Sequence, residues 1–145
     1  RNSVSGAEEV ASFLNVNELI LIKTKAFHLD TVFTTIMDRY GRLCAVIVCK
    51  DLISKESFDL LNKFSDLNNI KILNIPPIDS IGTNNNIGSL AVNNFSAPGL
   101  LISSSRFSEP FVAKYLNSKN IKMETTPVSQ FQLSGGSIHC LTNEL

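Results

Sequence analysis

Two short stretches of this sequence, Asn69-Ile70-Lys71-Ile72 and Asn120-Ile121-Lys122-Met123, repeat one local pattern about 51 residues apart. Each follows an amphipathic stretch with helical periodicity, so each marks the same helix-to-strand joint. Around the first joint, Thr31-Val32-Phe33-Thr34-Thr35-Ile36 and Leu43 to Val48 have strand character and are separated by the turn-prone Asp38-Arg39-Tyr40-Gly41, which predicts a hairpin. A helix follows from about Lys55 to Leu67, with Ser54 as N-cap, Glu56 in the first turn and Phe58, Leu61 and Phe64 inward. Strand Ile70 to Ile75 then ends at Pro76-Pro77.

The order recurs downstream. Asp79 to Gly88, rich in asparagine and glycine, reads as a loop. Ser89-Leu90-Ala91-Val92 and Gly99 to Ser103 read as strands around Ala97-Pro98-Gly99. Residues 107–118 read as a helix capped by Ser108, with Phe111, Val112, Tyr115 and Leu116 inward, and Ile121-Lys122-Met123 as a strand. The chain is therefore α/β, with two successive strand-strand-helix-strand units. Before them, Ser5 and Glu8 form a capping box for a helix over 5–15, and Leu19-Ile20-Leu21-Ile22 has strand character. After them, Ser137 to Leu141 reads as a short strand.

Composition excludes several classes. Lysine plus arginine equals aspartate plus glutamate at 13 each, with no one-signed face or tail, so neither nucleic acid nor an anionic membrane is indicated as a partner. No apolar run reaches the roughly 18–20 residues that span a bilayer, and the first residues do not form a signal peptide, so the chain is expected to be cytoplasmic. Three cysteines without a CxxC or histidine-cysteine spacing indicate neither a disulfide framework nor a zinc site. No GxGxxG or GxxxxGK motif calls for a nucleotide cofactor. The start at Arg1, without methionine and almost at once into a helix signal, suggests a sequence that begins inside a larger protein.

Chemistry concentrates in two segments, Phe27-His28-Leu29-Asp30-Thr31-Val32-Phe33-Thr34 and Gly135-Gly136-Ser137-Ile138-His139-Cys140-Leu141-Thr142. A thiol, an imidazole and a carboxylate together make a nucleophilic site in which the carboxylate grips a cation. Gly135 and Gly136 permit positive φ and close approach of backbone to a ligand. If His28 and Asp30 lie at the entry to a strand, they share one face. On a strand His139 would point away from Cys140, which makes it a poor base for that thiol and favours a structural role. Cys44 and Cys49, inside an apolar run, are core residues rather than nucleophiles.

Together the two segments resemble the guanidino-group-modifying enzymes of the pentein fold: arginine deiminase, arginine amidinotransferase, agmatine deiminase and dimethylarginine dimethylaminohydrolase. His28 to Thr34 looks like the deiminase segment around the catalytic histidine. Gly135 to Cys140 looks like the glycine-pair segment before the nucleophile, in wording close to amidinotransferases. Arg1-Asn2-Ser3 looks like the segment whose arginine binds the substrate's α-carboxylate. The resemblance implies a fan of five ββαβ units around a central site. Residues 1–145 would be a single domain, the C-terminal part of such a catalytic domain and about half of an α/β propeller. The family's upstream aspartate, and the glutamate that partners its histidine, would lie before Arg1. Where some deiminases carry an arginine before the glycine pair, Gln132-Leu133-Ser134 stands here.

The implied chemistry is cysteine-dependent hydrolysis of arginine or an arginine derivative. Cys140 attacks the guanidinium carbon, His28 protonates the departing amine and then activates water, and Asp30 pairs with the guanidinium nitrogens. Arg1, Gly135 and Gly136 complete the substrate-binding set. No metal or organic cofactor is required. The expected partners are a small guanidino substrate and the N-terminal remainder of the enzyme, with a homo-oligomer possible. The rival readings are amidino transfer to an amine, and a non-catalytic binding protein on the same fold, as in the ribosome anti-association factor.

Overall fold

A computed structural model describes residues 3–142 of the chain. The first helix, α1 (Val4–Phe13), is capped by Ser3, whose side chain accepts from the Gly6 amide at 3.0 Å. It thus begins two residues earlier than a Ser5 cap would allow, and Asn15 at φ 52° closes it. Leu19 to Ile22 forms no strand. Its continuation is tied instead to the start of the next long helix, through Lys23 N–H donating to Ser57 Oγ at 2.8 Å and Ser54 N–H donating to the Lys23 carbonyl at 2.9 Å.

The first unit is β1 (Phe33–Met37), β2 (Leu43–Val48), α2 (Lys55–Leu67) and β3 (Lys71–Asn74). Strand β1 is antiparallel to β2, and β3 is parallel to it. Central β2 is therefore paired along both edges, and from Ala45 onward it is a continuous buried apolar run. Ser54 caps α2 as expected, accepting from the Ser57 amide at 3.2 Å.

Asp79 to Gly88 is not a plain loop. It carries a miniature hairpin of β4 (Gly82–Thr83) and β5 (Asn86–Ile87), antiparallel to each other. The second unit is β6 (Phe95–Ala97), β7 (Leu100–Ser103), α3 (Pro110–Ser118) and β8 (Lys122–Thr125), again antiparallel then parallel. The expected strand at Ser89–Val92 is displaced to β6 because Leu90 has φ 51°, which an extended strand cannot accommodate. Side chains take over the ladder's work there: Ser103 Oγ donates to the Ala91 carbonyl, and Asn94 Nδ2 to the Ala91 and Val92 carbonyls.

Helix α3 starts at Pro110 with Glu109 at the N-cap. Ser108 does not cap it: its amide and hydroxyl both donate to the buried Asp79 carboxylate. Phe111, expected inward, is exposed, while Val112 and Leu116 are buried and Tyr115 packs on the core. Both units close on one core that includes Ile36, Val46, Leu61, Leu73, Leu101 and Leu116. At about 1.5–3 kcal/mol for each fully buried large aliphatic side chain, this shared core is what holds the units together. Tyr115 Oη adds a direct tie, donating to the Cys44 carbonyl at 2.8 Å.

The C-terminal segment is helical rather than extended, with short helices α4 (Ser129–Gln132) and α5 (Ile138–Leu141). The expected strand at Ser137–Leu141 fails because the segment finds no strand partner: the His139 amide donates to the Asn93 carbonyl, and the Thr142 amide and hydroxyl return to the His139 carbonyl. Among the described residues no helix is long and apolar enough to cross a membrane.

Candidate active site

Asp30 lies in a 3-10 turn, Leu29–Thr31, that enters β1, and His28 is the residue that caps this turn. The two therefore do not share a strand face as the spacing predicts. Thr31 closes the turn by donating from its hydroxyl to the His28 carbonyl at 2.6 Å, and Ser80 Oγ donates to the Thr31 carbonyl. The turn is thereby pinned to the segment after β3.

The turn α5 places Cys140 against Asp30. The Cys140 thiol donates to Asp30 Oδ2 at 3.7 Å across 110 positions of sequence. His139 Nδ1 sits 3.0 Å from the same oxygen. Consecutive residues point to opposite sides of a strand but stand only about 100° apart on a helix, so a helical turn lets both side chains address one carboxylate. His139 is thus a member of the site, contrary to the reading from a strand.

Asn93 organises the assembly and has no counterpart among the residues singled out from sequence. It is fully buried. Its Nδ2 donates to the Asp30 carbonyl at 3.4 Å, its Oδ1 accepts from the Cys140 amide at 3.4 Å, and its own carbonyl accepts from the His139 amide at 3.3 Å. The neighbouring Asn94 accepts from Thr34 Oγ1 at 3.1 Å. The only sequence signal was the pair Asn93-Asn94 next to a turn, which reads equally well as a loop.

Gly135 has φ 84°, a conformation that favours glycine, and a Cβ at Gly136 would make ordinary contact with Cys140, 3.5 Å from its Cβ and 3.9 Å from Sγ. The pair turns the chain between α4 and α5. The His28 ring packs edge-on against Phe27, with centroids 4.5 Å apart, and makes no hydrogen bond to Asp30 or Cys140 among the described residues. Arg1 lies outside the described residues. A cavity of about 280 Å³ opens beside the carboxylate, lined by Asp30 and His139 together with the apolar Leu29, Phe33 and Val92.

The three thiols differ sharply. Cys140 is exposed, Cys44 is half-buried and Cys49 is buried. Burial raises the Cys44 pKa and pushes the Cys49 thiol up to about 11, which leaves both poorly nucleophilic at neutral pH. Among the described residues no group of three or more histidines, cysteines and acidic side chains is placed to hold a metal ion.

No protein-family model matches the sequence, and no curated protein does. Solved structures do. The N-terminal domain of ArgZ, an arginine dihydrolase from the ornithine-ammonia cycle in Cyanobacteria, bound to product, is 17% identical with a TM-score of 0.75, over 99% of this chain and 47% of that one. A cysteine-to-serine variant of that domain bound to substrate gives a TM-score of 0.76 at 17% identity, over 99% of this chain and 48% of that one. AgrE in a ternary complex with ornithine and NAD+ gives 0.77 at 17% identity, over 97% of this chain and 19% of that one. The chain thus spans about half the length of the ArgZ domain. The likeness shows the fold: this is the pentein-type α/β arrangement of ββαβ units, and the chain amounts to about half of a propeller.

Proposed function

We propose that the protein containing this chain is a cysteine-dependent hydrolase of a guanidinium substrate, arginine or an arginine derivative. The observation that carries this reading is the convergence of the Cys140 thiol on the Asp30 carboxylate at 3.7 Å. A carboxylate selects a planar cation through paired N–H···O bonds, and a thiol at that distance faces the central carbon of the cation so held. The fold neighbour ArgZ is an arginine dihydrolase, which supports the same substrate class.

In the proposed reaction the bound cation favours ionisation of the thiol, and Cys140 Sγ adds to the guanidinium carbon. Collapse of the tetrahedral adduct expels one nitrogen, which takes its proton from His28 and leaves as ammonia or an amine. Water, deprotonated by His28, then adds to the remaining amidino carbon, and the S–C bond breaks to release the ureido product and the thiol. Asp30 holds the N–H groups throughout, and the Gly135-Gly136 turn keeps bulk away from the thiol. Arg1 is assigned to the substrate's carboxylate on the resemblance alone. The N-terminal remainder of the enzyme supplies the rest of the propeller and the further carboxylates.

The test is turnover of L-arginine and of agmatine by the full-length protein and its Cys140→Ser variant, with products identified by mass. The variant loses about 10⁴-fold or more in turnover while retaining binding. Retained turnover removes the cysteine from the mechanism, and an amine-dependent guanidino product reassigns the enzyme to amidino transfer.

A further inference from the structure

Asp30 is already occupied. Its Oδ2 takes both the His139 Nδ1 contact at 3.0 Å and the thiol of Cys140 at 3.7 Å, while its Oδ1 is buried with no hydrogen-bond partner among the described residues. A guanidinium binds a carboxylate bidentately, with one N–H to each oxygen. The thiol surrenders its proton when it becomes the nucleophile, so that contact clears itself. The imidazole does not clear in the same way.

We propose that His139 gates the site: its imidazole holds the carboxylate oxygen that the substrate cation requires, and guanidinium binding displaces it. This rests on the reading of Asp30 as the guanidinium-binding carboxylate. Two features make displacement feasible. The His139 side chain is 51% exposed, so it swings into solvent at small cost, whereas Asp30 is only 28% exposed and is held by its turn. The α5 backbone stays anchored through the His139 and Cys140 amides on Asn93, so the ring moves without moving the thiol.

The experiment measures L-arginine binding by calorimetry to the full-length Cys140→Ala protein, with and without His139→Ala. Removing the imidazole frees the carboxylate oxygen and tightens binding about two- to fivefold, the size of a partly exposed polar contact. His139→Gln, which keeps a side-chain donor, falls between the two. Equal or weaker binding by His139→Ala overturns the gate and leaves the hydrolase reading standing if Cys140-dependent turnover persists. Failure of both proteins to bind L-arginine overturns the guanidinium assignment and the gate with it.

Discussion

Asn93 and Cys140 are joined by a hydrogen bond from the Cys140 amide to Asn93 Oδ1 at 3.4 Å, and the same side chain donates from Nδ2 to the Asp30 carbonyl. One buried amide thus spaces the carboxylate from the thiol-bearing residue. Asn93→Ala leaves the Asp30 carbonyl and the Cys140 amide short of partners, and costs about 1–3 kcal/mol of stability. Because a displacement of about 1 Å at a reacting group costs on the order of a hundredfold in rate, turnover of L-arginine falls by about that factor. Denaturant unfolding and steady-state kinetics of the same preparation check both parts. Unchanged kinetics in a destabilised variant would reduce Asn93 to a packing role.

The two units repeat a strained position as well as a topology. Asn69 has φ 54° and Asn120 has φ 53°, each in the left-handed region just past its helix. Replacement by alanine costs about 1–2 kcal/mol at either site, and replacement by glycine is neutral or stabilising. At about 3 °C per kcal/mol for a chain of this size, thermal melts resolve the difference. Unequal responses at the two sites would mean that the repeated joint is not energetically equivalent.

Burial holds the Cys49 thiol neutral up to about pH 11, against an ordinary value of 9.0. The sign follows directly. Below about pH 9 the thiol is neutral folded and unfolded, and its burial contributes fully; above it the unfolded chain ionises while the folded thiol keeps its proton. Stability therefore falls by about 1–2 kcal/mol between about pH 9 and 11. Tyr115, whose burial pushes its phenol to about 12, adds a second loss that begins near pH 10. Unfolding midpoints across this range fall more steeply for the wild type than for Cys49→Ala. Parallel curves would contradict the assignment of the loss to this thiol.

The fold was legible where periodicity and punctuation agreed. Leu43 to Val48 reads as a buried strand and Lys55 to Leu67 as a capped amphipathic helix because local pattern and tertiary burial demand the same thing there, and both boundaries match. The Asn-Ile-Lys joint announced the repeat because a left-handed residue followed by an edge strand needs similar residues each time. Where backbone partners come from distant side chains, the pattern misled. Ser89 to Val92 reads as a strand, yet Leu90 turns it and Ser103 and Asn94 satisfy its carbonyls.

The same limit governed the site. Asp30 and Cys140 lie in the two segments that carry the resemblance, which leads one to expect them together. The helical twist at Cys140 is imposed by Asn93, 47 positions away, and no local pattern encodes it. His139 accordingly looked structural, because on a strand it would have been. His28 remains a proposal, its ring lying against Phe27.

Covalent chemistry at Cys140 is tested most directly by trapping. The full-length wild-type protein is mixed with L-arginine, acid-quenched during turnover, digested and mapped by mass. The account predicts an amidino adduct on the peptide bearing Cys140, lost when Asp30→Asn is added. An unmodified Cys140 under conditions where the wild type turns over, or an adduct on Cys44 or Cys49 instead, would contradict it.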